Sequence, residues 1–187
     1  MGLLISLTSI SVWADDNDDI SYKDTIKVFT NAGESGSFFS KSYGYAVYPT
    51  IGKGGIGIGG AYGKGRVYAA GSYVGDTSMT QLTLGFQFGG QAYSQIIFFE
   101  DERAFNEFTA GNFEFGAQAS AVAITAGASA SATTSGTSAG ASGGKNDATT
   151  TTAGTGFHKG MAVFTVAKGG LMYEASIGGQ KFSYSPR

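Results

Sequence analysis

At 187 residues the chain is of single-domain size and long enough to bury a real core. Charged residues make up only 14 %, against roughly 25 % in ordinary soluble domains, and 12 basic against 14 acidic side chains give −2, a balance that does not point to nucleic acid. The absence of cysteine excludes disulfides, thiolate metal sites, cysteine nucleophiles and a lipid-modified cysteine anchor.

The chain begins with a short apolar run, Leu3 to Val12, that ends in Val12-Trp13-Ala14 and meets the acidic run Asp15-Asp16-Asn17-Asp18-Asp19. This is the pattern of a secretory signal (residues 1–14) cut after Ala14, although no basic residue precedes the apolar run. It predicts a periplasmic or secreted protein whose single domain occupies residues 15–187. The run is too short to span a bilayer, and no other segment approaches transmembrane length.

From Asp19 to Ala32 the apolar residues Tyr22, Ile26 and Phe29 recur at helical spacing, with Lys23 and Lys27 beside them. Ser21 and Asp24 form an imperfect capping box, and Gly33 stands where a helix would stop. A second short helix is expected over Ser37 to Tyr43, turning Phe38 and Phe39 inward. Both pieces suit the cover of a sheet.

Gly44 to Tyr68 is the stretch around which the chain is organised. At its centre, Gly55-Ile56-Gly57-Ile58-Gly59 alternates a branched apolar residue with none. In extended chain, Ile56 and Ile58 share one face and the other is bare backbone. Glycine in a strand offers nothing to pack, so the run predicts something lying directly against it. Strands are expected at Arg66 to Tyr73 and Met79 to Gly89, separated by a Gly75-Asp76 turn. Leu82, Leu84, Phe86 and Phe88 fall on one face of the second. Ala92 to Glu100 is apolar on both faces and reads as a central strand covered on both sides. Asp101 caps a short helix to Ala110 that Gly111 ends, with Phe105 and Phe108 on one side.

Phe113 to Ala132 alternates again, with small residues suited to a curved sheet. Residues 133–156 are low in complexity, rich in Ala, Ser, Thr and Gly, and read as a mobile loop. Strands follow at Met161 to Ala167 and Leu171 to Ile177, joined at Gly169-Gly170, and Lys181 to Tyr184 is a last stretch. Together these predict an α+β fold. Its sheet is predominantly antiparallel and strongly curved or barrel-like, with N-terminal helices packed on it and one short mid-chain helix.

Chemical motifs are weak. Gly52 to Gly57 and Gly55 to Gly60 both satisfy G-x-G-x-x-G, but strand rather than helix follows, so no helix N-terminus would cradle a phosphate. Ser138 and Ser142 each sit in G-x-S-x-G within a Gly/Ser tract that offers no rigid strand-to-helix turn. His158 is the sole histidine, which makes both a triad and a zinc site implausible. No catalytic residue, metal or cofactor is expected. Lys53, Lys64 and Arg66 flank the glycine ribbon, and Lys23, Lys27 and Lys41 precede it. Converging, these six would make a positive patch for anionic headgroups, each cation near a membrane contributing about 1 kcal/mol. Scattered, they only solubilise.

At these residues the chain resembles a SYLF domain. The resemblance rests on Gly44-Tyr45-Ala46-Val47-Tyr48-Pro49 running into Gly54 to Gly60, then on Gly89-Gly90-Gln91-Ala92-Tyr93-Ser94 with Ile96 to Phe99. It continues through Phe113-Glu114-Phe115, Val163-Phe164 and Lys168-Gly169-Gly170-Leu171, so it covers roughly Ser21 to Tyr184. It implies a non-enzymatic lipid-binding module with basic residues and an amphipathic N-terminal segment at the lipid site. Lys23, Lys27 and Lys41 match that site by location. Membrane lipids, anionic ones foremost, are the partners it implies, and actin is not expected outside a cytoplasm. The alternatives are a structural or protein-interaction module of the periplasm with an unknown partner, a small outer-membrane β-barrel and a serine hydrolase.

Overall fold

The computed structural model describes residues 11–56, 58–84, 91–124, 156–168 and 176–187. Among them, seven strands form one sheet: β1 (Gly44–Ile56), β2 (Ile58–Ala69), β3 (Ser72–Leu84), β4 (Gln91–Phe99), β5 (Val122–Ile124), β6 (Met161–Lys168) and β7 (Lys181–Pro186). Their order is β5-β6-β4-β1-β2-β3-β7. Every neighbouring pair is antiparallel except β5 with β6. The sheet is curved but open, not a barrel, since β5 and β7 end it on opposite sides. Helices α1 (Ser11–Asn31) and α2 (Gly33–Gly36) precede the sheet, and α3 (Glu102–Thr109) follows β4.

β4 explains the layering. Ile96 and Phe98 bury into one cluster with Val47, Phe164 and, from the helical layer, Tyr22, Phe29 and Phe38. Ile97 and Phe99 bury on the other face with Tyr48, Phe108, Phe115 and Phe182. A strand apolar on both faces needs cover on both, and it receives α1 on one and α3 with the 113–121 segment on the other. α3 forms as expected: the Asp101 carboxylate accepts from the Ala104 N–H at 2.8 Å, and Gly111 takes the left-handed conformation just past the end.

Several boundaries differ from expectation. α1 starts at Ser11, so the Asp-rich run and Ala14 lie inside continuous helix. After α2, residues 37–41 form turns rather than a helix. Serine hydroxyls here bond to main-chain carbonyls (Ser35 to Phe29, Ser40 to Ser37, Ser42 to Phe38), an alternative to helical bonding. Phe38 is nonetheless buried.

The turn after β2 is Ala70-Gly71, both at positive φ (48° and 78°), as a type I′ hairpin demands. Gly75-Asp76 is not a turn but part of β3, where Gly75 leaves room for the Tyr184 ring. Of the long strand expected over 113–132, the described part forms only isolated bridges (Glu114 to Lys181, Ser120 to Ser176) and the short β5. Its remainder at 125–132, the low-complexity loop at 133–155, Phe86 and Phe88, the Gly169-Gly170 turn and positions 171–175 lie outside the described residues.

The glycine ribbon is not one strand. It is folded on itself as the β1–β2 hairpin, with Gly55 opposite Gly59 and Ile56 opposite Ile58. What approaches Gly55 is therefore the hairpin's own second strand. No described atom lies within 4 Å of where a side chain would start on Gly52 or Gly54, so that part of the ribbon faces open space. The close approach occurs farther along β2, where Ile51 lies over Gly63 and Tyr48 over Gly65.

Candidate functional site

Side chains alternate along β2, and odd positions 59 to 67 are buried against the α3 side. Even positions face the α1 side, but α1 covers only half of it. The border is Arg66. Its guanidinium lies 4.2 Å from the Tyr22 ring of α1 and 4.7 Å from Tyr73 of β3, and it pairs with Asp19. Arg66 thereby holds the Asp19 carboxyl below its ordinary range, by hydrogen bonding first and by charge second. Burial pushes the Tyr22 phenol up to about 12, so it stays neutral against the cation.

Beyond Arg66 the sheet is bare. Ile58 is 70 % exposed, Tyr62 51 % and Leu82 84 %. One cross-strand row reads Lys168, Ala92, Gly52, Tyr62, Thr80, Lys181 across six strands. At strand spacings of about 4.8 Å it is ~24 Å wide, with a lysine at each end. Lys64 stands one row nearer the helix, opposite Thr50, and Lys168 Nζ donates to the Thr50 hydroxyl at 2.8 Å. Toward the hairpin tip come Leu82, opposite Gly60, and then Ile58.

The six basic residues read from the sequence do not gather at one point. Lys64 lies on the bare half and Arg66 is committed to its clamp. Lys23 and Lys27 ride exposed on α1, and Lys41 sits 5.9 Å over the Phe38 ring of the helical layer. Lys53 pairs with Ala61, whose side chain is in the α3-side core, so Lys53 is on the opposite face from Lys64. Lys168 and Lys181 were not singled out by sequence. They reach this face because β6 and β7 pair with strands far away in the chain, for which spacing carries no signal.

A second feature is a cavity of about 460 Å³ on the α3 side, lined by Phe113, Phe115, Val163, Met161 and Ile177, with His158 at its edge. His158 is exposed and its backbone closes a turn with Met161. Ser138 and Ser142 lie outside the described residues. The G-x-G-x-x-G matches fall in the β1–β2 hairpin, with no helix opening on them.

A family model described as Ysc84, Las17-binding protein actin regulator, matches residues 80–184, from within β3 to within β7. The chain is also similar to the Beta cell expansion factor A of Aeromonas veronii, at 25 % identity over 169 residues. That alignment covers 84 % of this chain and 51 % of the relative, so the chain spans about half of that protein's length.

Proposed function

This chain belongs to the Ysc84 (SYLF) family of non-catalytic binding domains, known for lipid and actin binding, and from that premise we propose a module that binds lipid at a membrane surface and carries no catalytic centre. The supporting observation is the half-covered sheet. A core strand system that buries both faces elsewhere leaves Ile58, Tyr62 and Leu82 in water at one end, within reach of lysines. Contiguous apolar side chains rimmed by polar ones mark a surface that meets something.

The signal-like start adds a compartment to the reading: the periplasm or the outside of the cell, peripheral to a membrane, where actin would not be met. The family description's actin wording then bears on relatives and not on this chain's partner. The test is flotation of the mature protein with vesicles containing anionic phospholipid. Binding that weakens as salt rises is the expected result. A folded protein that stays at the bottom at low salt would end the proposal. A protein-docking role draws on the same exposed side chains, and recovery of one envelope protein with lipid absent would favour it.

A further inference from the structure

Two surfaces compete for the lipid, and they oppose each other in charge. α1 carries Asp15, Asp16, Asp18, Asp19 and Asp24 against Lys23 and Lys27, a helix that an anionic bilayer repels. The strands have the reverse balance. Within the strands the only carboxylate is Asp76, at the covered end, where it accepts from the Tyr73 hydroxyl and pairs in register with Arg66; beyond the edge strand, exposed Glu114 bridges Lys181 in register. Among the described residues, Lys64, Lys168 and Lys181 form no ion pair.

We propose that the protein docks on anionic bilayers through the bare end of the sheet. Ile58 and Leu82 enter between the lipids, and Lys64, Lys168 and Lys181 hold headgroup phosphates. The proposal rests on the lipid-surface reading and says which surface serves it.

The order of residues along the strands carries the argument. Starting at the clamp, the rows present Lys64, then Tyr62 between Lys168 and Lys181, then Leu82, then Ile58. Successive rows on one face are ~7 Å apart, so charge gives way to an aromatic phenol and then to aliphatic carbon within about 20 Å. A bilayer interface has the same sequence of phosphate, headgroup boundary and acyl chain, with tyrosine favoured at the middle level. Gly52, Gly54 and Gly60 put no side chains beside Tyr62, so the three apolar groups stand clear of the sheet. β2, which carries Ile58 and Tyr62, is paired on both sides at this end, by β1 and β3, which removes for that strand the main penalty for bringing extended chain into an apolar phase. A second copy fits less well, because stacking two such faces would set lysine against lysine.

The experiment uses the mature protein with phosphatidylcholine vesicles prepared with and without phosphatidylglycerol. Leu82→Asp should lower partitioning into the anionic vesicles by about tenfold or more. Lys168→Ala and Lys181→Ala should each lower it about fivefold. Lys23→Ala with Lys27→Ala should cost little. Leu82→Trp, the sole tryptophan once residues 1–14 are removed, should show emission shifted to the blue and quenched by brominated acyl chains. Circular dichroism checks that each variant is folded. If the wild type floats and none of the sheet substitutions matters, this surface is wrong while the lipid reading stands. If the wild type does not float, the lipid reading itself fails. A lipid-free mass of two chains that Leu82→Asp returns to one would overturn the proposal in favour of a second copy.

Discussion

Gln95 of β4 and Gln180, the residue before β7, exchange hydrogen bonds through both amides, at 2.9 and 3.1 Å, and both are fully buried. Gln180 also donates to the Tyr93 hydroxyl at 3.2 Å, whose phenol burial pushes up to about 12 and so keeps neutral. The pair ties the approach to the edge strand β7 to a central strand 85 residues earlier. On the same side, Gln81 donates to the Gly178 carbonyl at 2.9 Å.

Breaking one half of this pair should cost more than removing both. Gln180→Leu leaves the Gln95 amide buried without its partner, a loss of about 1–3 kcal/mol. Gln95→Leu together with Gln180→Leu removes both polar groups and should recover part of that loss. Urea denaturation of the two single variants and the double gives the coupling. Losses that simply add would show that the two amides do not depend on each other.

The glycines of the β1–β2 hairpin should separate into two kinds. A side chain on Gly65 would start 2.6 Å from the Tyr48 ring, itself fully buried, so Gly65→Ala should destabilise by about 1–3 kcal/mol. Gly54→Ala meets no described atom within 4 Å and should be neutral or slightly stabilising. Thermal melts of both variants check the contrast. Equal effects would mean that glycine is kept here for chain flexibility alone.

That contrast also shows what the sequence could and could not reveal. Apolar residues on consecutive positions identified β4 as central, and an aspartate before an amphipathic stretch identified α3, because both signals are local. Which face Lys53 takes is not legible in the spacing, for a reason held at one point of β1. β1 carries a bulge between Val47 and Thr50, around Pro49, which shifts the alternation by one and moves Lys53 to the side opposite Lys64. The turn between β2 and β3 was misplaced because Ala70-Gly71 and Gly75-Asp76 are both short, small-residue pairs. The choice was made by Tyr184 packing over Gly75 from a strand more than a hundred residues away. Lys168 and Lys181 were invisible as site residues for the same reason.

The Arg66 clamp predicts a pH dependence. Arg66 lowers the Asp19 pKa below its ordinary 3.8, so the folded state prefers the charged carboxylate. The stability this contributes is complete above 3.8 and is lost as pH falls through the lower, folded value. Asp19→Asn should therefore differ from wild type at neutral pH, and the difference should fade once wild-type Asp19 is itself protonated. Arg66→Leu removes the Tyr22 and Tyr73 contacts as well, worth about 1–2 kcal/mol together, at every pH. Chemical denaturation across the acid range distinguishes the two. An Asp19→Asn difference that persists undiminished at the lowest pH would mean that the pair contributes nothing through charge.

The β2–β3 turn carries a correctable strain. Ala70 holds φ at 48°, a left-handed conformation that a residue with a Cβ adopts at a cost of roughly 1–2 kcal/mol, and its side chain is exposed. Gly71, at 78°, has no such cost. Asparagine is preferred at the first central position of a type I′ turn because its short polar side chain tolerates this region. Ala70→Asn should accordingly stabilise the fold by about 0.5–1 kcal/mol, a rise in Tm of about 1–4 °C for a domain of this size. Ala70→Val should do the reverse, since a branched Cβ fits the left-handed region worst. Calorimetry of the two variants settles it: if valine is tolerated as well as asparagine, the hairpin does not use a type I′ turn.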